Sequence, residues 1–165
     1  MEEKTIKLIE GITDSFDCKS GYYAKIFLNY ENKTVIKVFK SDETFDHCKN
    51  VYESEVKAYK LAESKEELKP YIPIFYGQEP SIEIFSKNGE NISEKYFCDF
   101  NYKIELVEGE ERKFGTITGD AAHYFPKLFL KAGINYYKDS SVFLDDKGNI
   151  KKFIDFATQE YELIH

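Results

Sequence analysis

Residues 22–40 read YYAKIFLNYENKTVIKVFK. Two runs rich in β-branched and aromatic residues flank Asn-Tyr-Glu-Asn-Lys, the pattern of two antiparallel strands joined by a turn. Upstream, TIKLIEGI (5–12) is a shorter alternating run, and TDSFDCKSG (13–21) carries the turn residues of a loop. Three antiparallel strands are therefore expected to open the chain, with residues 5–12 as the first.

Downstream, DHCKNVYESEVKAYKLAES (46–64) sets Val51, Val56, Tyr59 and Leu61 near one helical stripe among good helix formers. KPYIPIFYG (69–77) ends that helix through Pro70, Pro73 and Gly77 and leaves a short extended stretch. SIEIFS (81–86) and KYFCDFNYKIELVE (95–108) read as two more strands, with turns at Asn88-Gly89 and Glu108-Gly109. In GDAAHYFPKLFLKAGI (119–134), Phe125, Leu128, Phe129 and Ala132 recur at helical spacing, and Gly133 stands at a C-terminal cap. SVFLDDKGNIKKFIDF (141–156) closes with two short strands across a turn at residues 146–149. The order predicts an α+β fold: an antiparallel sheet with one packed helix, then a short helix and hairpin.

Composition narrows the class. A chain of 165 residues is the size of one domain, and 42% hydrophobic content with 14 Phe and 13 Tyr gives it an aromatic core. The net charge of −7 argues against a nucleic acid partner or an anionic membrane. The acidic start MEEKTIKLIEGI and the lack of an apolar run of ~18 residues lead to the expectation of an intracellular, cytoplasmic protein with no membrane partner. Cys18, Cys48 and Cys98 are odd in number and widely separated, which fits reduced thiols. His47-Cys48 lacks two further ligands at zinc spacing and reads as the start of a helix.

Several of these segments together resemble the protein-kinase-like fold, and the likeness covers most of the chain. VIKVFK (35–40) resembles the strand motif V-A-I-K, which implies that Lys37 pairs with phosphate. ESEVKAY (53–59) resembles the following helix, with Glu55 as the acid that holds the lysine. YKIELVEGE (102–110) is similar to the strand entering the hinge, so backbone from Glu105 to Val107 is expected to face adenine. GNIKKFIDFA (148–157) is similar to the strand ending in Asp-Phe-Gly, with Asp155 as the magnesium ligand. The implied cofactors are ATP and Mg²⁺, with Ile26, Ile36 and Ile154 as apolar walls. Without the family, Lys37 reads as the solvent-facing partner in an alternating strand.

The departures are as informative. The glycine-rich loop falls on KSGYYA (19–24) and keeps only Gly21, with Lys19 and Ala24 in place of the outer glycines. The catalytic loop H-R-D-L-x-x-x-N falls in INYYKDSSVFLDD (134–146), where two registers compete. One puts Tyr136 at the catalytic aspartate and Ser141 at the metal-binding asparagine. The other retains Asp139 as the catalytic residue in a loop that is too short and still lacks the asparagine; read by itself, Asp139 is a turn aspartate. Either register loses a group that phosphoryl transfer uses.

Eight residues follow Ala157, and the family's activation segment and substrate-binding helices belong after that point. The resemblance therefore implies a single truncated, degenerate kinase-like domain over 1–165. Residues 1–108 form its N-lobe-like part and 109–165 part of a second lobe. The expected function is that of a catalytically inactive, pseudokinase-like protein that binds a protein partner, a true kinase or a second copy, through an apolar docking patch around HYFPKLFL (123–130). The alternative is a minimal ATP- and magnesium-dependent phosphotransferase or nucleotide-binding protein, and the loop's degeneracy also admits no cofactor at all.

Overall fold

The computed structural model describes residues 4–12, 16–20 and 23–159. Gly21, the retained glycine of the expected loop, lies outside them. The fold is mixed α and β, and backbone contacts divide the chain into two compact units. Met1–Tyr52 and Phe75–Leu106 form one; Glu53–Ile74 and Val107–His165 form the other.

The first unit holds β1 (Ile6–Ile9), β2 (Phe16–Ser20), β3 (Ala24–Asn29), β4 (Thr34–Lys40), β5 (Phe75–Gly77), β6 (Ile82–Phe85) and β7 (Tyr96–Glu105). Five of these strands form one sheet in the order β2-β3-β4-β7-β5, every pair antiparallel. The β3–β4 hairpin supplies its second and third strands. Asn29 shapes the turn by accepting the amides of Glu31 and Asn32 at 3.0 Å, and Lys33 then takes a left-handed φ of 56°.

The opening of the chain departs from expectation. Residues 5–12 do not join this sheet: β1 pairs in parallel with β6 in a separate two-stranded sheet. The outer strand is instead Phe16–Ser20, from the stretch expected to be a loop, paired with β3 from Phe16↔Asn29 to Ser20↔Lys25. The small sheet packs on one face of the large one, where Phe27, Ile36, Val38, Ile82, Ile84, Ile92 and Tyr96 form a buried cluster flanked by Ile6 and Leu8. The opposite face carries Phe39, Tyr52, Phe100 and Tyr102 in ring contact, with Tyr52 stacked on Phe100 at 5.3 Å between centroids.

Helix α1 (Phe45–Glu63) begins in the first unit, where the Thr44 hydroxyl accepts the His47 amide at 3.2 Å, and runs into the second. Its buried stripe is Cys48, Val51, Ser54, Glu55, Ala58, Tyr59 and Ala62, whereas Val56 and Leu61 are only half-buried. The second unit adds β8 (Glu110–Lys113), α2 (Asp120–Ala132), β9 (Ser141–Leu144) and β10 (Ile150–Ile154), with the three strands ordered β10-β9-β8.

At Gly133, φ of 86° ends α2, and its amide caps the Leu130 and Phe129 carbonyls. Pro126 sits inside the helix, so the backbone bond to the Ala122 carbonyl cannot form. The apolar face of α2 is covered rather than open. Phe125 packs on Tyr71 at 4.8 Å and on Phe153 at 4.9 Å, and Phe129 stacks on Tyr137 at 5.6 Å. The patch expected at residues 123–130 is thereby reduced to Tyr124 and Leu130, both exposed. Among the described residues, no helix is long and apolar enough to cross a membrane.

Candidate functional site

Lys37 lies on β4, the third strand of the large sheet in chain order. Cross-strand partners share a face, so the registers Lys19↔Ile26, Ile26↔Lys37 and Lys37↔Tyr102 place those four residues in one row. The Lys37 amine is held over the rings of Phe39 and Tyr102, 5.5 and 5.9 Å from their centroids. The side chain is half-buried and faces the aromatic side of the sheet. Ile26 shares that face; Ile36, expected to wall the same pocket, belongs to the opposite face, in the row Cys18, Phe27, Ile36, Lys103. Glu105 ends β7 opposite Thr34, and in the adjoining stretch the Leu106 amide is taken by the Lys33 carbonyl at 2.9 Å.

The remaining expected residues fall in the second unit. Glu55 is buried on α1, 7% exposed. Its neighbour Ser54 shares a hydrogen bond of 2.8 Å with the Thr158 hydroxyl and accepts the Thr158 and Gln159 amides at 3.1 and 3.3 Å. Val107 is half-buried in the connection before β8.

Asp155 follows β10 with φ of 61°, a left-handed conformation that a non-glycine residue holds at a cost. Two anchors hold it there. Phe156 is fully buried against Tyr59, 4.6 Å between centroids, and Ala157 bridges to Tyr136 through reciprocal backbone bonds of 2.9 and 3.1 Å.

The β8–β9–β10 ladder brings Lys113, Ser141 and Asp155 together through the pairs Lys113↔Ser141 and Ser141↔Ile154. The Ser141 hydroxyl donates to the Asp155 carboxylate at 3.5 Å, and the Lys113 amine donates to Ser141 Oγ at 3.4 Å and to the Asp139 carbonyl at 3.3 Å. The Asp139 side chain is exposed and accepts from the Tyr136 hydroxyl at 3.2 Å. Sequence inspection missed Lys113, because β8 is the fully exposed run Glu-Glu-Arg-Lys with no alternation to mark a strand.

The other chemistry-bearing residues have structural environments. His47 Nε2 lies 3.2 Å from the Tyr23 hydroxyl, and the buried Cys48 thiol donates to the Lys40 carbonyl at 3.6 Å. Burial pushes the Cys48 thiol pKa up, with Glu43 and Asp42 adding to it, so the thiol stays protonated. All three cysteines are free. Among the described residues, no group of three or more His, Cys, Asp or Glu side chains is placed to hold a metal.

The chain matches no protein-family model, no curated protein and no solved structure.

Proposed function

We propose that this chain is a kinase-like module that does not transfer phosphate and acts by binding a protein partner. Support comes from the succession of elements: a lysine on the sheet's third strand, a helix with a buried glutamate, and a hairpin ending in an aspartate held left-handed beside the remnant of a catalytic loop. The observation that carries the loss of transfer is Asp139. Its carboxylate is engaged by Tyr136, three residues away, and where the family has a metal-binding asparagine this chain has Ser141, 2% exposed and bonded to Asp155. A base and a second metal ligand are thus wanting. Exposed Ile9, Ile12 and Phe16 on the first unit give a partner, or a second copy, apolar surface to cover.

Two measurements test this. Incubation with Mg-ATP and a generic phosphoacceptor should release and transfer nothing above background; turnover abolished by Asp139→Asn would overturn it. Light scattering at rising concentration should show a mass above that of one chain, and Ile12→Asp should return it to one chain. A strict monomer leaves only a foreign protein as partner.

A second reading, nucleotide binding without transfer, is favoured by the left-handed Asp155. One carboxylate and the Ser141 hydroxyl suit a magnesium ion whose other ligands are phosphate oxygens and water. Bound Mg-ATP at a hundred times its Kd adds about 2.7 kcal/mol, or roughly 5–10 °C in Tm for a chain of this size. That shift should vanish in Asp155→Asn, and no shift in the parent protein ends this reading.

A further inference from the structure

Between β1 of the two-stranded sheet and the face of the large sheet, the first unit holds a cavity of about 220 Å³. Its walls include Ile6 and Leu8 from β1, Phe16 from β2, Phe27 from β3 and Ile36 from β4. At one end stand Lys103 and Glu79, paired at 2.7 Å and both partly buried. From this geometry we propose that the cavity is a binding site for a neutral, mainly apolar small molecule of about two fused rings, or a short acyl chain, with one hydrogen-bonding group at the Lys103–Glu79 end.

Three features select that chemistry. An apolar cavity of about 150 Å³ holds benzene, so one half as large again has room for a second ring. The charged groups that line it balance, Lys7 and Lys103 against Asp17 and Glu79. Asp17 is further engaged by the Tyr30 hydroxyl at 3.1 Å and Lys103 by Glu79, so an anionic group at that end would have to displace a carboxylate to gain Lys103, while the Lys7 amine lies over the Phe85 ring. An apolar wall with few convergent polar groups is the usual construction of a small-molecule site. This site lies on the sheet face opposite Lys37 and does not depend on the kinase-like reading.

The test uses the whole chain with indole, a neutral bicycle with one N–H, followed by methyl NMR. The Ile6, Leu8 and Ile36 methyls should shift and saturate on one curve, while Ile134 and Leu144 of the second unit stay fixed. Indole-3-acetate should bind more weakly by about tenfold or more, because its carboxylate meets Glu79. Leu8→Trp, which fills the cavity with the chain's only tryptophan, should weaken indole by about tenfold or more while keeping a native melting transition. Absence of shifts at the solubility limit of indole overturns the proposal, whatever the variant does. So do shifts spread equally over both units, or tighter binding of the anion.

Discussion

Asn101 is completely buried on β7, and its side-chain amide is spent on the backbone around a strand irregularity. Nδ2 donates to the Cys98 and Glu79 carbonyls at 2.7 and 3.1 Å, while Oδ1 accepts the Glu79 amide at 2.9 Å. Asn101→Asp would turn an acceptor toward two carbonyl oxygens and is expected to cost about 2–4 kcal/mol, read as a lower urea midpoint with unchanged slope. A second polar contact sets a pH dependence. Burial raises the pKa of Glu10, but hydrogen bonds from Tyr96 and Lys25 and the charges of Lys25 and Lys95 outweigh it and hold the carboxyl below its ordinary value. Burial and the Glu10 contact push the Tyr96 hydroxyl far above the ordinary tyrosine value. A lowered carboxylate stabilises the fold above its unfolded pKa, ~4.3, and that contribution disappears as pH falls through the folded value. A raised phenol acts in the other sense: its contribution is whole below pH ~10 and is lost as pH rises beyond it. Tyr96→Phe should therefore be less stable at pH 7 and should show a smaller drop in urea midpoint between pH 7 and pH 3. It should also show a smaller drop between pH 9 and pH 11. Unchanged slopes at both ends would separate Tyr96 from the titration.

At the scale of elements, the joint between β8 and β9 turns on Gly109. Its φ is 137°, and a Cβ placed there would stand 2.5 Å from the Leu144 carbonyl oxygen, within the strand that β8 pairs with. Gly109→Ala is expected to cost about 2 kcal/mol or more, with lost amide protection confined first to β8 and β9. The sequence marked this position as a turn but could not show the approach that makes it glycine. The same limit explains which elements were legible. The β3–β4 hairpin, α1, α2 and the β9–β10 hairpin announce themselves through local composition, periodicity and caps: Thr34–Lys40 is rich in β-branched residues, and Gly133 ends its helix with a left-handed φ. β2 does not, because Phe-Asp-Cys-Lys-Ser holds turn-forming residues and becomes a strand through its ladder with β3. β1 was legible as a strand but not in its partnership, since Ile6 finds Ile82 in parallel, far along the chain. Candidate residues followed the same rule. Lys37 and Asp155 were named from the strands that carry or precede them, and Ser141 meets Asp155 across the β9–β10 hairpin, while Lys113's bond to Ser141 comes from the β8–β9 pairing, which the uniformly polar β8 does not announce.

At the scale of the whole molecule, neither unit is a single stretch of chain, and α1 passes from one into the other. A cut after residue 108 keeps both segments of the first unit, including the paired ladders of β2, β3, β4, β7 and β5. It removes from residues 53–74 their contacts in the second unit: Tyr59 loses Phe156, Tyr71 loses Phe125, Ser54 loses Thr158, and the Pro70 and Ile72 carbonyls lose the Lys152 amine. Ala58, Tyr59, Ala62 and Leu68, at most 1% exposed in the whole chain, then meet water. The fragment 1–108 is therefore expected to retain slow amide exchange in β3, β4 and β7 while exchange in 53–74 accelerates by orders of magnitude, with binding of a hydrophobic dye that the full chain does not show. Equal protection of 53–74 in fragment and full chain would mean that this segment draws its stability from the first unit. A fragment with no protected strands would mean that the large sheet, despite its own buried cluster, needs the second unit in order to fold.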